Sequence, residues 1–311
     1  MRFSISNIGW ASVFALALSV FASERNSLSF SPSSGYKTFQ LNTTGNVTRV
    51  LISNPPINLL DGNMIRDFDR LLTSLQTSPG QNSKVYIFSS ADPTFFINHL
   101  DLHYVSTRNP PAPPFTPYDI NTYINVTKKF ATVPAILIGE ISGKTISGGD
   151  EISVQLDMRF ASTGAELSAP EVSLGVLHAI GGLQYLVRLI GPGRAAEYLL
   201  SATGANAKRM AEIGWVNQAF GTRKAMEAYV DALAARIGLF PQGGLNATKQ
   251  GIRNGFGPRP GTVDEDIKTF NDLSQTPQTQ SLVDRFLILG RNETKSEFEL
   301  GLPGSVMQLY M

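Results

Sequence analysis

Cysteine is absent from this 311-residue chain, and histidine occurs only three times. The first absence excludes thiolate zinc sites and a cysteine nucleophile, and it removes disulfides from the account of stability. No excess of one charge is present either. Lysine and arginine number 26 against 25 acidic residues, so no nucleic-acid footprint is expected. No apolar run is long enough for a comfortable membrane span. With 42% hydrophobic residues, a chain of this length buries a large core without covalent staples.

The N-terminus carries an apolar run from Trp10 to Ala22, preceded by Met1-Arg2 and rich in small residues near its end. That is the shape of a secretory signal peptide, with cleavage expected after Ala22 and residues 1–22 removed. An uncleaved anchor and a later start codon are the alternatives. Asn42, Asn46, Asn125, Asn246 and Asn292 each open an N-x-Ser/Thr sequon, so the expectation is a glycosylated protein of the secretory pathway or outside the cell.

A polar, Ser-rich connector follows and is assigned to residues 23–47. The core is assigned to residues 48–240 and a helical C-terminal portion to 241–311. Within the core, residues 48–53 read as a strand ended by Asn54-Pro55-Pro56. Asp61-Gly62 opens a helix whose Met64, Ile65, Phe68, Leu71, Leu72 and Leu75 recur at helical spacing. Residues 84–89 and 135–141 read as buried strands, and residues 158–161 and 166–169 as two shorter ones. A helix is expected near 120–130, and beyond Gly182 at 183–190, 193–200, 206–213 and 223–237. Asn206 makes a good N-cap, and Gly214 a good stop. The loop at 109–117 is too proline-rich for a helix or an interior strand. Strands alternating with helices indicate the α/β class.

The chemistry concentrates between Pro134 and Phe220. An apolar strand runs into Gly148-Gly149 and then a helix, presenting bare backbone N–H groups where negative charge could develop. Glu151 falls in that helix's first turn, where the helix dipole alone would favour a carboxylate. Glu171 follows Ala169-Pro170 at a strand end, a place where a carboxylate can simply be solvated. Two carboxylates facing such a site could divide the work of a general acid and a general base.

Several segments in this order resemble the crotonase, or enoyl-CoA hydratase/isomerase, superfamily. They are Ser142-Gly143, Gly148-Gly149-Asp150-Glu151-Ile152, residues 157–161, Ala169-Pro170-Glu171 with Leu174-Gly175, Gly181-Gly182, and Gly214-Trp215-Val216-Asn217. Residues 96–102 stand where the family has its Ala-Gly-Ala-Asp-Leu segment. The resemblance covers roughly residues 45–240. It implies a crotonase-like spiral of repeated ββα units with a helical C-terminal portion, assembled as a homo-oligomer, trimer or hexamer. It further implies Glu151 and Glu171 as paired catalytic groups, with the backbone N–H groups of Leu100 and Gly148 forming the oxyanion hole. Asn98, His99, Gly149 and His178 are the expected substrate-binding positions. The substrate implied is an acyl-CoA-like thioester, and coenzyme A enters only as part of it. Neither a metal nor a redox cofactor is implied.

The departures are local. Asn98-His99-Leu100 replaces a run of small residues, and Leu177-His178 stands where the family commonly has Pro-Gly. Asp150 and Glu151 are neighbours on a helix and should point apart. Three activities remain open: addition of water to a C2=C3 bond or its reverse, double-bond isomerisation or thioester or C–C hydrolysis on the same fold, and non-catalytic binding by a secreted protein. Coenzyme A thioesters are chiefly intracellular, so the leader sets substrate and compartment against each other.

Overall fold

The structure is a computed structural model and describes residues 31–32, 35–78, 83–108, 117–257 and 261–311. The expected leader and residues 109–116 of the proline-rich loop assigned to 109–117 lie outside the described residues.

Short strands that alternate between two sheets organise the chain. Strands β1 (Ser31–Pro32), β2 (Phe39–Thr44), β3 (Val47–Ile52) and β4 (Val85–Ser90) lie in a larger sheet, and β5 (Phe95–Ile97) crosses to a smaller one. Strand β6 (Ile136–Ile141) returns and β7 (Lys144–Ile146) crosses again. The same step is repeated by β8 (Met158–Ser162) and β9 (Glu166–Ser168), after which β10 (Gly204–Asn206) completes the smaller sheet and β11 (Gln218–Phe220) the larger. The orders are β1-β2-β3-β4-β6-β8-β11 and β10-β9-β7-β5. From β3 to β11 the larger sheet is parallel, and all six residues of β4 and of β6 are buried. Such continuous apolar runs belong to a parallel sheet covered on both faces.

Helices α1 (Gly62–Thr77), α2 (Pro117–Thr132) and α3 (Gly148–Ser153) follow β3, β5 and β7. This is a spiral of strand pairs and helices, as the resemblance implied. Asp61 caps α1 by accepting the Met64 N–H, and the helix buries the expected apolar stripe. Phe39, Phe68, Phe88 and Phe130 join strand and helix layers in the largest apolar cluster.

Two expectations need correction. Residues 39–44, inside the stretch assigned to a connector, form β2 and pair antiparallel with β3. The buried Asp67 of α1 fixes the start of that strand, accepting hydrogen bonds from the N–H of Lys37 and from the N–H and hydroxyl of Thr38. The helix expected near 120–130 runs from Pro117 to Thr132, since proline fits a first helical turn.

Beyond β9 come α4 (Gly182–Ile190), α5 (Pro192–Ser201), α6 (Ala207–Ile213) and α7 (Arg223–Gly238), close to their expected positions. The C-terminal portion contains α8 (Gln242–Phe256), α9 (Thr262–Ser274), α10 (Pro277–Leu289) and α11 (Glu297–Gly301). Val283, Phe286, Phe298, Leu302 and Val306 from this portion pack with Phe95, Leu102 and Ile146 in a second apolar cluster. No helix among the described residues is long and apolar enough to cross a membrane.

Candidate active site

The first turn of α3 sets up the site. Its N-cap, Ser147, has φ +56°, an uncommon conformation for a residue with a side chain and one that clusters where function over-determines the backbone. Gly149 follows because the chain passes β5 so closely that an added Cβ would lie 2.1 Å from the Ile97 carbonyl oxygen. A Cβ on Gly148 would lie 3.2 Å from the Leu100 nitrogen, so the backbone at Leu100 packs against the start of α3. Neither the Leu100 nor the Gly148 N–H donates to a backbone carbonyl among the described residues.

Glu151 and Glu171 both line one cavity, with Leu100, Tyr123, Ser147, Ile146 and Ala179 among its other walls. Its interior volume is about 60 Å³, room for a few ordered waters. Residues from α9 and α10, including Phe270 and Val283, close it. Glu151 is 6% exposed and accepts hydrogen bonds from the Tyr123 hydroxyl and the Ala179 N–H, both at 2.8 Å. Glu171 is equally buried. Its Oε1 takes the Nδ1–H of His178 at 2.8 Å, while its Oε2 has no partner among the described residues.

His178 stands between the carboxylates. Nδ1 lies 2.8 Å from Glu171 and 3.7 Å from Glu151, and Nε2 lies 3.3 Å from Asp150. Asp150 is itself anchored by the Trp215 indole N–H at 3.0 Å and the Ser153 hydroxyl at 3.1 Å. Burial alone would lower the imidazole's pKa, but the facing carboxylates, Glu171 foremost, hold it well above the usual histidine range. Burial acts most strongly on Glu171, to raise it, but the His178 charge and the hydrogen bonds to the carboxylate, that of His178 foremost, together keep that carboxyl below its ordinary value. Glu151 is pushed up to about 7, by burial first and by Glu171 against the pull of His178. The expectation that Asp150 and Glu151 point apart needs refinement, because both reach the same imidazole from different sides.

The other expected positions separate. His99 reaches the cavity wall, but its ring pairs with Glu299 at 3.1 Å and lies edge-on to Phe286. Asn98, Gly149 and His178 stand behind the wall, Asn98 fully buried. Tyr123 was not singled out from the sequence, although a tyrosine on the buried face of a helix calls for a polar partner. Two sets, Glu151, Glu171 and His178 and then Asp101, His103 and Glu293, bring three possible ligand atoms within 4.8 Å of one another. In each, a ring nitrogen already lies at hydrogen-bond distance from carboxylate oxygen, which describes proton-bridged ion pairs.

Residues 42–286 match the family model described as enoyl-CoA hydratase/isomerase. The chain belongs to that family. A solved structure of a Streptomyces avermitilis protein provisionally assigned as an enoyl-CoA hydratase superposes with a TM-score of 0.78 at 30% identity, covering 89% of this chain and 99% of that one. The peroxisomal Delta(3,5)-Delta(2,4)-dienoyl-CoA isomerase of Arabidopsis thaliana is 27% identical over 65% of this chain and 77% of its own length. A crotonyl-CoA hydratase of Syntrophomonas wolfei is 39% identical, but that match spans 26% of this chain and 32% of the relative.

Proposed function

We propose that this member of the family hydrates the C2=C3 bond of an acyl-CoA-like enoyl thioester, or dehydrates the corresponding 3-hydroxyacyl thioester. The observation that carries the reading is the placement of Glu151 and the unpartnered Glu171 Oε2 on one cavity, beside the Leu100 and Gly148 amides. The thioester oxygen takes hydrogen bonds from these two amides, which stabilise charge that develops only as the bond order changes. In dehydration, Glu171 Oε2 removes the C2 proton and Glu151 protonates the departing 3-hydroxyl. Hydration is the reverse: Glu151 takes a proton from water as oxygen adds to C3, and Glu171 delivers one to C2. The pair therefore needs a single shared proton.

One observation favours isomerisation as a second reading. The His178 pairing holds Glu171 anionic, as a base that moves a proton along the acyl chain requires. Mixing a short 2-enoyl-CoA with the purified protein separates the two. Loss of the conjugated absorbance, abolished in Glu151→Gln and Glu171→Gln, is the expected result. Absorbance lost equally in both variants would sink the glutamate assignments. An inert enoyl substrate alongside turnover of a dienoyl-CoA would replace hydration by isomerisation. A homo-oligomer, trimer or hexamer, belongs to the same reading and is checked by light scattering.

A further inference from the structure

The backbone that carries the Leu100 amide is gripped by carboxylates from a part of the chain beyond residue 286, where the family match ends. Glu293 Oε1 accepts the Leu102 N–H at 2.6 Å, and its Oε2 lies 3.0 Å from His103 Nδ1. Glu299 of α11 faces His99 Nε2 at 3.1 Å and takes a longer bond, 3.4 Å, from the Asn98 amide. The other nitrogen of His99 donates to the Leu100 carbonyl at 2.9 Å and sits 3.7 Å from Glu293. Both carboxylates and the His99 ring are almost wholly buried. Buried charges of this kind persist only when paired, and removing one partner strands the other. The rest of the segment is anchored as well. Phe298 packs edge-on against Phe286, the Leu302 carbonyl accepts a bond from Lys144, and Ser296 caps α11.

We propose that Glu293 and Glu299 are positioning residues, which hold residues 98–103 so that the Leu100 N–H points with that of Gly148 at the thioester oxygen. The inference rests on the reading of those two amides as oxyanion donors. An amide donor works only if it is fixed before charge develops, and residues 98–101 lie in neither helix nor strand, between β5 and a single 3-10 turn at Leu102–Tyr104. Their backbone is held along residues 58–60, where the Asn98 N–H donates to the Asn58 carbonyl, the Leu60 N–H to that of His99 and the Asp101 N–H to that of Leu60. The two carboxylates add the side-chain grip from the far end of the chain. Burial opposes charge on His99, yet Glu299 first and Glu293 after it raise that imidazole to about 9, so the ring is charged at neutral pH. Burial pushes Glu293 itself up to about 7 against the pull of His103 and His99. The same tail contributes Leu302 to the cavity wall, beside Phe286 of α10. Closure of the acyl pocket and alignment of the oxyanion donor are thereby parts of one packed unit.

The test uses full-length Glu299→Gln, Glu293→Gln, His99→Gln and the double variant His99→Gln/Glu299→Gln, with exposed Glu297→Gln as control. Turnover of the thioester and amide hydrogen exchange over residues 95–105 are measured for each. Glu299→Gln and Glu293→Gln are expected to lower kcat by about tenfold to a hundredfold with KM within about threefold, since a misplaced donor acts on the transition state. Exchange over 95–105 should speed up while α1 and α7 stay protected. The double variant should cost no more than the worse single, because both members of one pair are gone. If Glu299→Gln fails to fold, Glu293→Gln carries the same test through Leu102. Wild-type kcat and exchange in both variants overturn the proposal. A wild type with no turnover refutes the hydratase reading instead, and exchange alone then decides whether the clamp exists.

Discussion

At the scale of single residues, His178 sets the protonation of the site. Its charge keeps Glu171 ionised, while burial leaves Glu151 titrating at about 7. A group with a raised pKa keeps its proton below that value and loses it as pH climbs through it. Loss of the shared proton from Glu151 should therefore lower kcat/KM about tenfold per unit above pH 7. Adding water to a double bond releases no net proton, so the forward and reverse profiles should fall together. Activity that stays flat to pH 9 would assign the transferred proton to His178. His178→Gln removes the charge that holds Glu171 low. Its carboxyl should rise, the acidic limb of the profile should move upward, and neutral activity should drop by about tenfold to a hundredfold. Stability should fall by about 3 kcal/mol in denaturant unfolding, because Asp150 and Glu171 lose their buried counter-charge. An unmoved acidic limb would remove His178 from this role. The two glutamates and the two amides are named through the resemblance to the family, whose short segments can be recognised in the sequence. The Tyr123 and Asp150 contacts cannot be recognised there, since they depend on a helix and an indole far away in the chain.

At the scale of elements, glycine placement decides which turns can approach the site. Gly182 begins α4 with its α-carbon against the His178 ring and Glu151. An added Cβ would meet His178 Nε2 at 2.5 Å and Glu151 Cγ at 2.9 Å. Gly182→Ala should push the imidazole off Asp150 and cost about 1–3 kcal/mol as an overpacked core, with activity falling more than stability. Turnover measured beside far-ultraviolet circular dichroism checks this, and an active, fully folded variant would refute the assigned packing. Periodicity made α1 and the helices from α4 to α7 legible, because each buries an apolar stripe or carries a recognisable cap or stop. Strands β5, β7, β10 and β11, three residues each, escaped because so few residues show no period, although β9, equally short, was read at 166–169. Strand β2 reads as polar because it pairs at the margin of the larger sheet, and the buried carboxylate that anchors it comes from α1.

At the scale of the whole molecule, compartment and substrate pull in different directions. The argument for passage through the secretory pathway rests on residues 1–22 and on five sequons, and the fold bears on the second. Asn46, Asn125 and Asn292 are exposed, and Asn42 and Asn246 are half-buried. None is sealed in the core. They differ in what a glycan would disturb. The Asn46 Nδ2, the atom a glycan would occupy, donates to the Gly238 carbonyl at 3.0 Å, and Asn246 accepts from Gln242 at 2.7 Å. Asn125 projects from the exposed side of α2, and Asn292 from the turn between α10 and α11. If residues 1–22 are a leader, expression of the full sequence in a glycosylating host should give a secreted protein whose mass falls on peptide-N-glycosidase treatment, with Asn125 and Asn292 the most fully occupied. Retention inside the cell with no mass change would remove the leader and sequon readings together. The thioester would then be met where coenzyme A is abundant, and the site chemistry would stand unaltered, since neither glutamate depends on the leader.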